Sequence, residues 1–123
     1  MEHLLHPILQ KKLTALRELC RKEGIVFRVT QTLRSKDQQN ALYAKGRTKP
    51  GSIVTNAQYP YSFHNHGVAF DFVPIKDGKA DYKDLSKFKK IGELGKTLGL
   101  EWGGDWKKTK DGPHFQLPWK DYP

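Results

Sequence analysis

Apolar residues near the start of the chain recur at helical spacing. Ile8, Leu9, Leu13, Leu16, Leu19 and Cys20 fall on one face of a helix that Pro7 opens and Gly24 stops. From Ile25 to Thr32 the period shortens to two. Ile25, Phe27 and Val29 alternate with their neighbours in a β-branched run, which predicts a half-buried strand with Arg34 just past its end. Ser35 followed by Gln38 has capping-box spacing and predicts a short helix carrying Ala41, Leu42 and Tyr43, closed by Gly46. Periodicity then lapses. Pro50, Gly51, Asn56 and Pro60, among polar residues, predict a long loop from Arg47 to Phe63, and such loops in small domains are usually functional. Val68 to Ile75 is an apolar run interrupted by Asp71, the pattern of a central strand with one inward carboxylate. After a turn at Asp77 and Gly78, residues Phe88, Ile91, Leu94 and Leu98 predict a helix from about Asp84 to Leu98, capped by Gly99. The closing stretch LEWGGDWKKTKDGPHFQLPW predicts two short strands joined by a Lys-rich turn.

This order predicts an α+β fold, a small antiparallel sheet with helices packed on it. At 123 residues, with no internal repeat, the expectation is one domain spanning residues 1–123, able to bury a core without disulfides. Cys20 is the only cysteine and is expected to be a buried thiol.

Charge changes the picture of partners. The net charge is +9, and through Lys49 there are 11 basic residues against 4 acidic, so the surplus lies mostly in the first part of the chain. A basic flank favours anionic polymers. Nucleic acid is not expected, because no helix-turn-helix or RNA-binding strand motif accompanies the charge. No run approaches a membrane span, and MEHLLHPILQKK lacks the pattern of a secretory signal.

The candidate chemistry is concentrated in SFHNHGVAFD, residues 62–71, and DGPH, residues 111–114. A buried carboxylate needs a cation, so Asp71 is either a metal ligand or a salt-bridge partner. His64 and His114 are the imidazoles that could complete a three-ligand site of the kind that leaves zinc one open position. Asp111 lies three residues before His114 and could accept a proton from water, or simply form the turn before Gly112. Arg34 could stabilise an oxyanion or remain a surface cation. Trp102 and Trp106 flank GGD and could wall a groove or pack in the core. His66 is placed as a wall or supporting residue, and His3 and His6 stand outside the pattern. There is no glycine-rich phosphate loop, CxxC pair, HExxH or GxSxG.

Ser62, His64, Gly67, Ala69 and Asp71 fill the pattern SxHxxGxAxD, and Asp111 to His114 fills (D/E)xxH. Upstream, TLRSKDQQNALYAKGRTKPGSIVTNA supplies Arg34, Gln39 and the LYxxGR segment of Leu42 to Arg47. In these motifs the chain resembles the VanY-like branch of the LAS metallopeptidases. That branch contains D-alanyl-D-alanine carboxypeptidases and the L-alanyl-D-glutamate peptidases of phage endolysins and bacilli. The resemblance covers about Val26 to Leu117. It implies a Hedgehog/DD-peptidase-like fold and one zinc ion on His64, Asp71 and His114. It also implies Asp111 as general base, Arg34 beside the scissile carbonyl, and Gln39, Ser62, His66, Trp102 and Trp106 as substrate-binding or supporting residues. The combination LYxxGR, WGGDW and PHFQ is most similar to the L-alanyl-D-glutamate endopeptidases, which implies cleavage of peptidoglycan stem peptides at the bacterial wall. A D-Ala-D-Ala carboxypeptidase and a zinc-containing binding module are the alternatives. The further expectations are a monomer, no membrane partner and no separate wall-binding domain. The basic flank would face anionic wall polymers, and the enzyme would be either released by lysis or a trimmed secreted form.

Overall fold

The first helix, α1 (Pro7–Lys22), begins where Nδ1 of His6 accepts the Ile8 N–H at 3.2 Å, so a residue outside the chemical pattern serves as a cap. Its buried stripe is Leu9, Leu13, Leu16 and Cys20. Ile8 is 41% exposed, contrary to the predicted face, because it stands beside Leu9 on the flank of a stripe that residues 9, 13, 16 and 20 already complete. Burial pushes the Cys20 thiol up to about 11, which makes it an inert packing group. The computed structural model describes residues 2–108 and 110–121. Thr109 of the predicted Lys-rich turn, and the ends Met1, Tyr122 and Pro123 of the expected domain, lie outside the described residues.

Strand β1 (Phe27–Gln31) is followed by α2 (Lys36–Ala44), where Ser35 and Gln38 form the predicted capping box. Next come the long strand β2 (Ala69–Lys76) and the two-residue β3 (Lys79–Ala80). Helix α3 (Leu85–Thr97) leads to β4 (Glu101–Trp102) and β5 (His114–Gln116). The sheet runs β1-β2-β5-β4, every neighbour antiparallel, with β3 paired to β2. β3 was not expected, since two residues are too few to show a period. It forms because Asp77 and Gly78 both adopt positive φ, 53° and 78°, the backbone of a tight hairpin turn.

Side chains alternate across the sheet, and each face has its own task. Phe70, Phe72 and Phe115 point to the helical side, where the Phe72 and Phe115 rings stack at 4.9 Å and Phe88 of α3 meets Phe72 at 5.4 Å. α1 and α3 pack together over this layer, and the buried apolar residues form one core cluster. Two glycines of α3 allow the close approach. A Cβ on Gly92 would lie 2.3 Å from the Trp102 indole, and one on Gly95 would lie 2.4 Å from the Phe115 ring.

Gly92→Ala therefore drives a methyl into a fixed indole. Overpacking of this kind costs about 1–3 kcal/mol, whereas exposed Lys89→Ala should stay within about 0.5 kcal/mol. Urea unfolding of the two variants measures the difference.

Candidate active site

The opposite face of the sheet carries a polar row. Asp71 of β2 pairs in register with Gln31 of β1 on one side and His114 of β5 on the other. The β1–β2 ladder shifts between Val29 and Gln31, so Thr30 is the extra residue of a bulge and Gln31 is brought opposite Asp71. His64 arrives from a one-turn 3-10 segment, Phe63–His66, that Ser62 caps by accepting the His64 N–H at 3.2 Å. Gly67, at φ 70°, returns the chain from that turn towards β2. The turn is bound to the end of β1. The Arg34 N–H donates to the His64 carbonyl at 2.8 Å, and the Asn65 amide donates to the Arg34 carbonyl at 2.9 Å.

Donor and acceptor roles reveal what these side chains are arranged to hold. His64 Nδ1 lies 2.9 Å from the Thr32 carbonyl, which can only accept, so Nδ1 carries the proton. That leaves Nε2 to face Asp71 Oδ1, 3.2 Å away. His114 Nε2 lies 2.7 Å from Gln116 Oε1, again an acceptor, and its Nδ1 is likewise 3.2 Å from the same Asp71 oxygen. One carboxylate oxygen and two ring nitrogens, each able to ligate a metal, therefore converge within 4.8 Å of one another. In a tetrahedral zinc site with bonds of about 2.0–2.2 Å, ligand atoms sit about 3.3–3.6 Å apart, close to the 3.2 Å that separates each imidazole nitrogen from Asp71 Oδ1. His64, Asp71 and His114 fit a zinc ion.

The proton affinities carry the same message. Burial opposes the Asp71 charge, but the hydrogen bonds of His114 and His64 outweigh it and hold the carboxyl well below the usual carboxylate range. Burial also works against a charged His114, and its bond to Asp71 reverses the balance and raises its pKa.

Asp111 stands at the mouth of this group. Its turn is built against the WGGD segment: Asp111 N–H donates to the Gly103 carbonyl at 2.9 Å, and Trp102 Nε1 donates to the Gly112 carbonyl at 2.8 Å. A Cβ on Gly103 would sit 2.4 Å from the Asp111 carbonyl oxygen, so glycine is required there. Burial raises the Asp111 pKa, with opposing help from His114 and a further push from the Asp71 charge. Arg34 is buried. Its terminal nitrogens donate to Gln39 Oε1 at 2.9 Å and Gln31 Oε1 at 2.8 Å, while its Nε finds no acceptor among the described residues. Desolvation lowers its pKa, against the attraction of Asp71 and Asp111.

These groups line an open cleft of about 630 Å³ together with Ser62, Tyr61, Tyr82 and Trp106. The Trp106 ring lies 5.2 Å from that of His114. Gln39, fully buried, supports the cleft from behind by holding Arg34 and donating to the Ala57 carbonyl at 2.5 Å. Two expected wall residues stand elsewhere. Trp102 is a core residue wedged against Gly92 and Gly104, because its neighbour Glu101 takes the outward side of β4. His66 is exposed outside the cleft lining, its Nε2 spent on the Pro60 carbonyl at 2.8 Å. Gln116, Glu101, Asn65 and Gln31 were not foreseen as supports. For Gln116 a signal existed, since at two residues beyond His114 it shares that residue's face of the strand.

The long loop carries its own fastening. Gly46, at φ 78°, is pressed so closely by Ile53 that a Cβ would lie 2.8 Å from it. Arg47 stacks over the Tyr43 ring at 3.8 Å. Its guanidinium donates to the Tyr43 and Thr55 carbonyls and to Asn56 Oδ1 at 2.6, 3.1 and 3.2 Å. LYxxGR is thus a clasp that ties α2 to the loop, and Leu42, Val54 and Thr55 face the cleft from it.

Residues 55–117 match the M15 peptidase family model described as D-alanyl-D-alanine carboxypeptidase. The chain is 41% identical over 122 residues to the peptidoglycan L-alanyl-D-glutamate endopeptidase CwlK of Bacillus subtilis (strain 168), covering 92% of this chain and 73% of that protein. It is 37% identical over 101 residues to the L-alanyl-D-glutamate peptidase of Listeria phage A118, covering 80% of this chain but only 33% of that protein. Among solved structures, the crystal structure of the Serratia marcescens L-Ala D-Glu endopeptidase ChiX superposes with a TM-score of 0.77 at 29% identity, over 99% of this chain and 86% of that one.

Removing the clasp should free the loop without unfolding the sheet. In Arg47→Ala, limited proteolysis is expected to cut within residues 48–57 several-fold faster. The urea midpoint should move little, since exposed sites usually contribute about 0.5 kcal/mol or less.

Proposed function

Because the chain belongs to the M15 peptidase family, we propose that it is a zinc-dependent endopeptidase of bacterial peptidoglycan that hydrolyses the L-Ala to D-Glu bond of stem peptides. The observation that carries this reading is the convergence of three potential ligand atoms beside a carboxylate of raised pKa and a buried guanidinium, in one open cleft. The choice of bond rests on the likeness to CwlK and ChiX.

A zinc ion held by His64, Asp71 and His114 would polarise the scissile carbonyl and bring the pKa of water close to neutrality. The chain's own groups do the rest. Asp111 is outside the metal triad and accepts the proton of the attacking water. Burial weakens its hold on charge, which makes it a better proton acceptor than an exposed aspartate. It returns the proton to the leaving amine of D-Glu. Arg34 remains cationic, and Gln31 and Gln39 pin its guanidinium so that its charge favours negative charge developing in the cleft. Trp106, Tyr61 and Tyr82 give the stem peptide apolar walls. The net charge of +9 draws the protein to a wall bearing anionic polymers and stem-peptide carboxylates, an attraction that salt weakens. Among the described residues no helix is long and apolar enough to cross a membrane.

The description of the matching family model favours a second reading, removal of terminal D-alanine by the same site. Mass spectrometry of digested peptidoglycan separates the two. New N-terminal glutamate, abolished by chelator and restored by zinc, is the expected result. Loss of a single alanine with no cut after L-Ala would replace the endopeptidase by the carboxypeptidase.

Asp111→Ala should keep zinc and lose about 10²–10⁴-fold in turnover, the usual contribution of a general base. Equal turnover would remove Asp111 from the reaction. The sign of the pH effect follows from the raised pKa. Turnover should fall as acidity protonates Asp111, and the fall should begin at a higher pH than the ordinary aspartate value of 3.8 would give. A pH profile of kcat measures it.

A further inference from the structure

We propose that Gln116 and Glu101 form a positioning pair that sets which nitrogen of His114 is free to bind the metal. This inference rests on the reading that His64, Asp71 and His114 take up zinc. It adds two residues that act on the metal site through His114.

The logic is one of donors and acceptors. His114 could satisfy its surroundings in two ways. With the proton on Nδ1 it would donate to Asp71 and accept at Nε2, and with the proton on Nε2 it presents a bare Nδ1 to Asp71. Only the second is competent to bind a metal at Nδ1. Gln116 alone does not decide, because its amide can turn either its oxygen or its nitrogen towards His114. Glu101 decides. It lies opposite Gln116 in the β4–β5 ladder, and its Oε2 is 3.2 Å from Gln116 Nε2. A carboxylate only accepts, so the amide N–H must face Glu101 and Oε1 must face His114. At 2.7 Å from Nε2, Oε1 then requires a proton there. The other carboxylate oxygen of Glu101 accepts Trp106 Nε1–H at 3.4 Å, which ties the pair to the indole beside the His114 ring. On the far side of the site the Thr32 carbonyl exerts the same control over His64. Each imidazole is therefore governed by a group that can only accept. For His114 that group is a side chain acting through an amide, and it can be exchanged.

The test uses the full chain. Zinc affinity is measured by competition with a chromogenic chelator, and the imidazole 15N–1H correlations of the zinc-loaded protein report the His114 Nε2 proton. Gln116→Leu removes the acceptor at nearly constant size. It should weaken zinc binding about 10–100-fold, as loss of an outer partner of a ligating histidine does, and the Nε2 proton resonance should shift or exchange away. The double variant Gln116→Glu with Glu101→Gln keeps the polarity of every bond in the relay: carboxylate to His114, amide N–H to that carboxylate, amide oxygen to Trp106. It should recover affinity to within about threefold of wild type and restore the resonance.

Wild-type affinity and an unmoved Nε2 resonance in Gln116→Leu would overturn the proposal, as would a double variant no better than Gln116→Leu. If Gln116→Leu does not fold, judged by circular dichroism, the double variant decides alone, and zinc affinity more than tenfold below wild type overturns the pairing. A folded wild-type chain that takes up no zinc would instead remove the reading of the metal site, an outcome distinct from zinc-loaded protein indifferent to residue 116.

Discussion

The structure is organised around the cost of gathering a carboxylate and two imidazoles at one place inside a small protein. Asp71 lies within the longest strand, flanked by Phe70 and Phe72, which bury their rings on the other side of the sheet. Its carboxylate has two imidazole nitrogens 3.2 Å away. A buried charge in that setting is sustainable only when a positive partner shares it. Arg34 is engaged with two glutamines, so the imidazoles are the groups nearest to that carboxylate.

Much of the fold can be understood as the means of keeping those donors from turning away. The bulge at Thr30 moves Gln31 into the row and so provides one of the two amides that grip Arg34. The 3-10 turn bearing His64 is fastened to β1 at three points, through the Thr32 carbonyl and both backbone groups of Arg34. β5 can lie flat beside β2 because α3 offers glycine where Phe115 and Trp102 press upon it. The rigidity of the helical face and the exactness of the polar face are therefore one property. A side chain added at Gly92 or Gly95 acts on the strands that carry the site.

Long periodic segments were legible in the sequence because many residues repeat one instruction. The stripe of α1, the capping box at Ser35, the apolar run of β2 and the stripe of α3 all appear near their expected places. The three donors were legible for a different reason, since a carboxylate inside an apolar strand demands an explanation. What stayed hidden depends on relations across the sheet. β3 is too short to have a period, and the bulge in β1 exists only relative to β2. Trp102 and Trp106 looked equivalent beside their glycines, yet the parity of a two-residue strand sends one indole to the core and leaves the other by His114. His66, next but one to His64, is turned outwards by the short helical turn they share. The role of Gln116 needed the knowledge that Glu101 stands opposite it.

The register of β2 against β5 has a consequence for how the protein comes into being. Asp71 and His114 face each other across 43 residues of sequence, and His64 joins them through a turn docked on the segment that follows β1. No unfolded or partly folded chain holds this trio at such spacing. Ligand that binds only the native state shifts folding by RT ln(1 + [L]/Kd), about 2.7 kcal/mol when free ligand is a hundred times Kd. On the proposed reading, in which the trio holds zinc, metal supply and conformational stability would become a single variable. Scarcity of the ion would then populate the open forms more and expose them to proteolysis, so it would shorten the protein's lifetime as well as its activity.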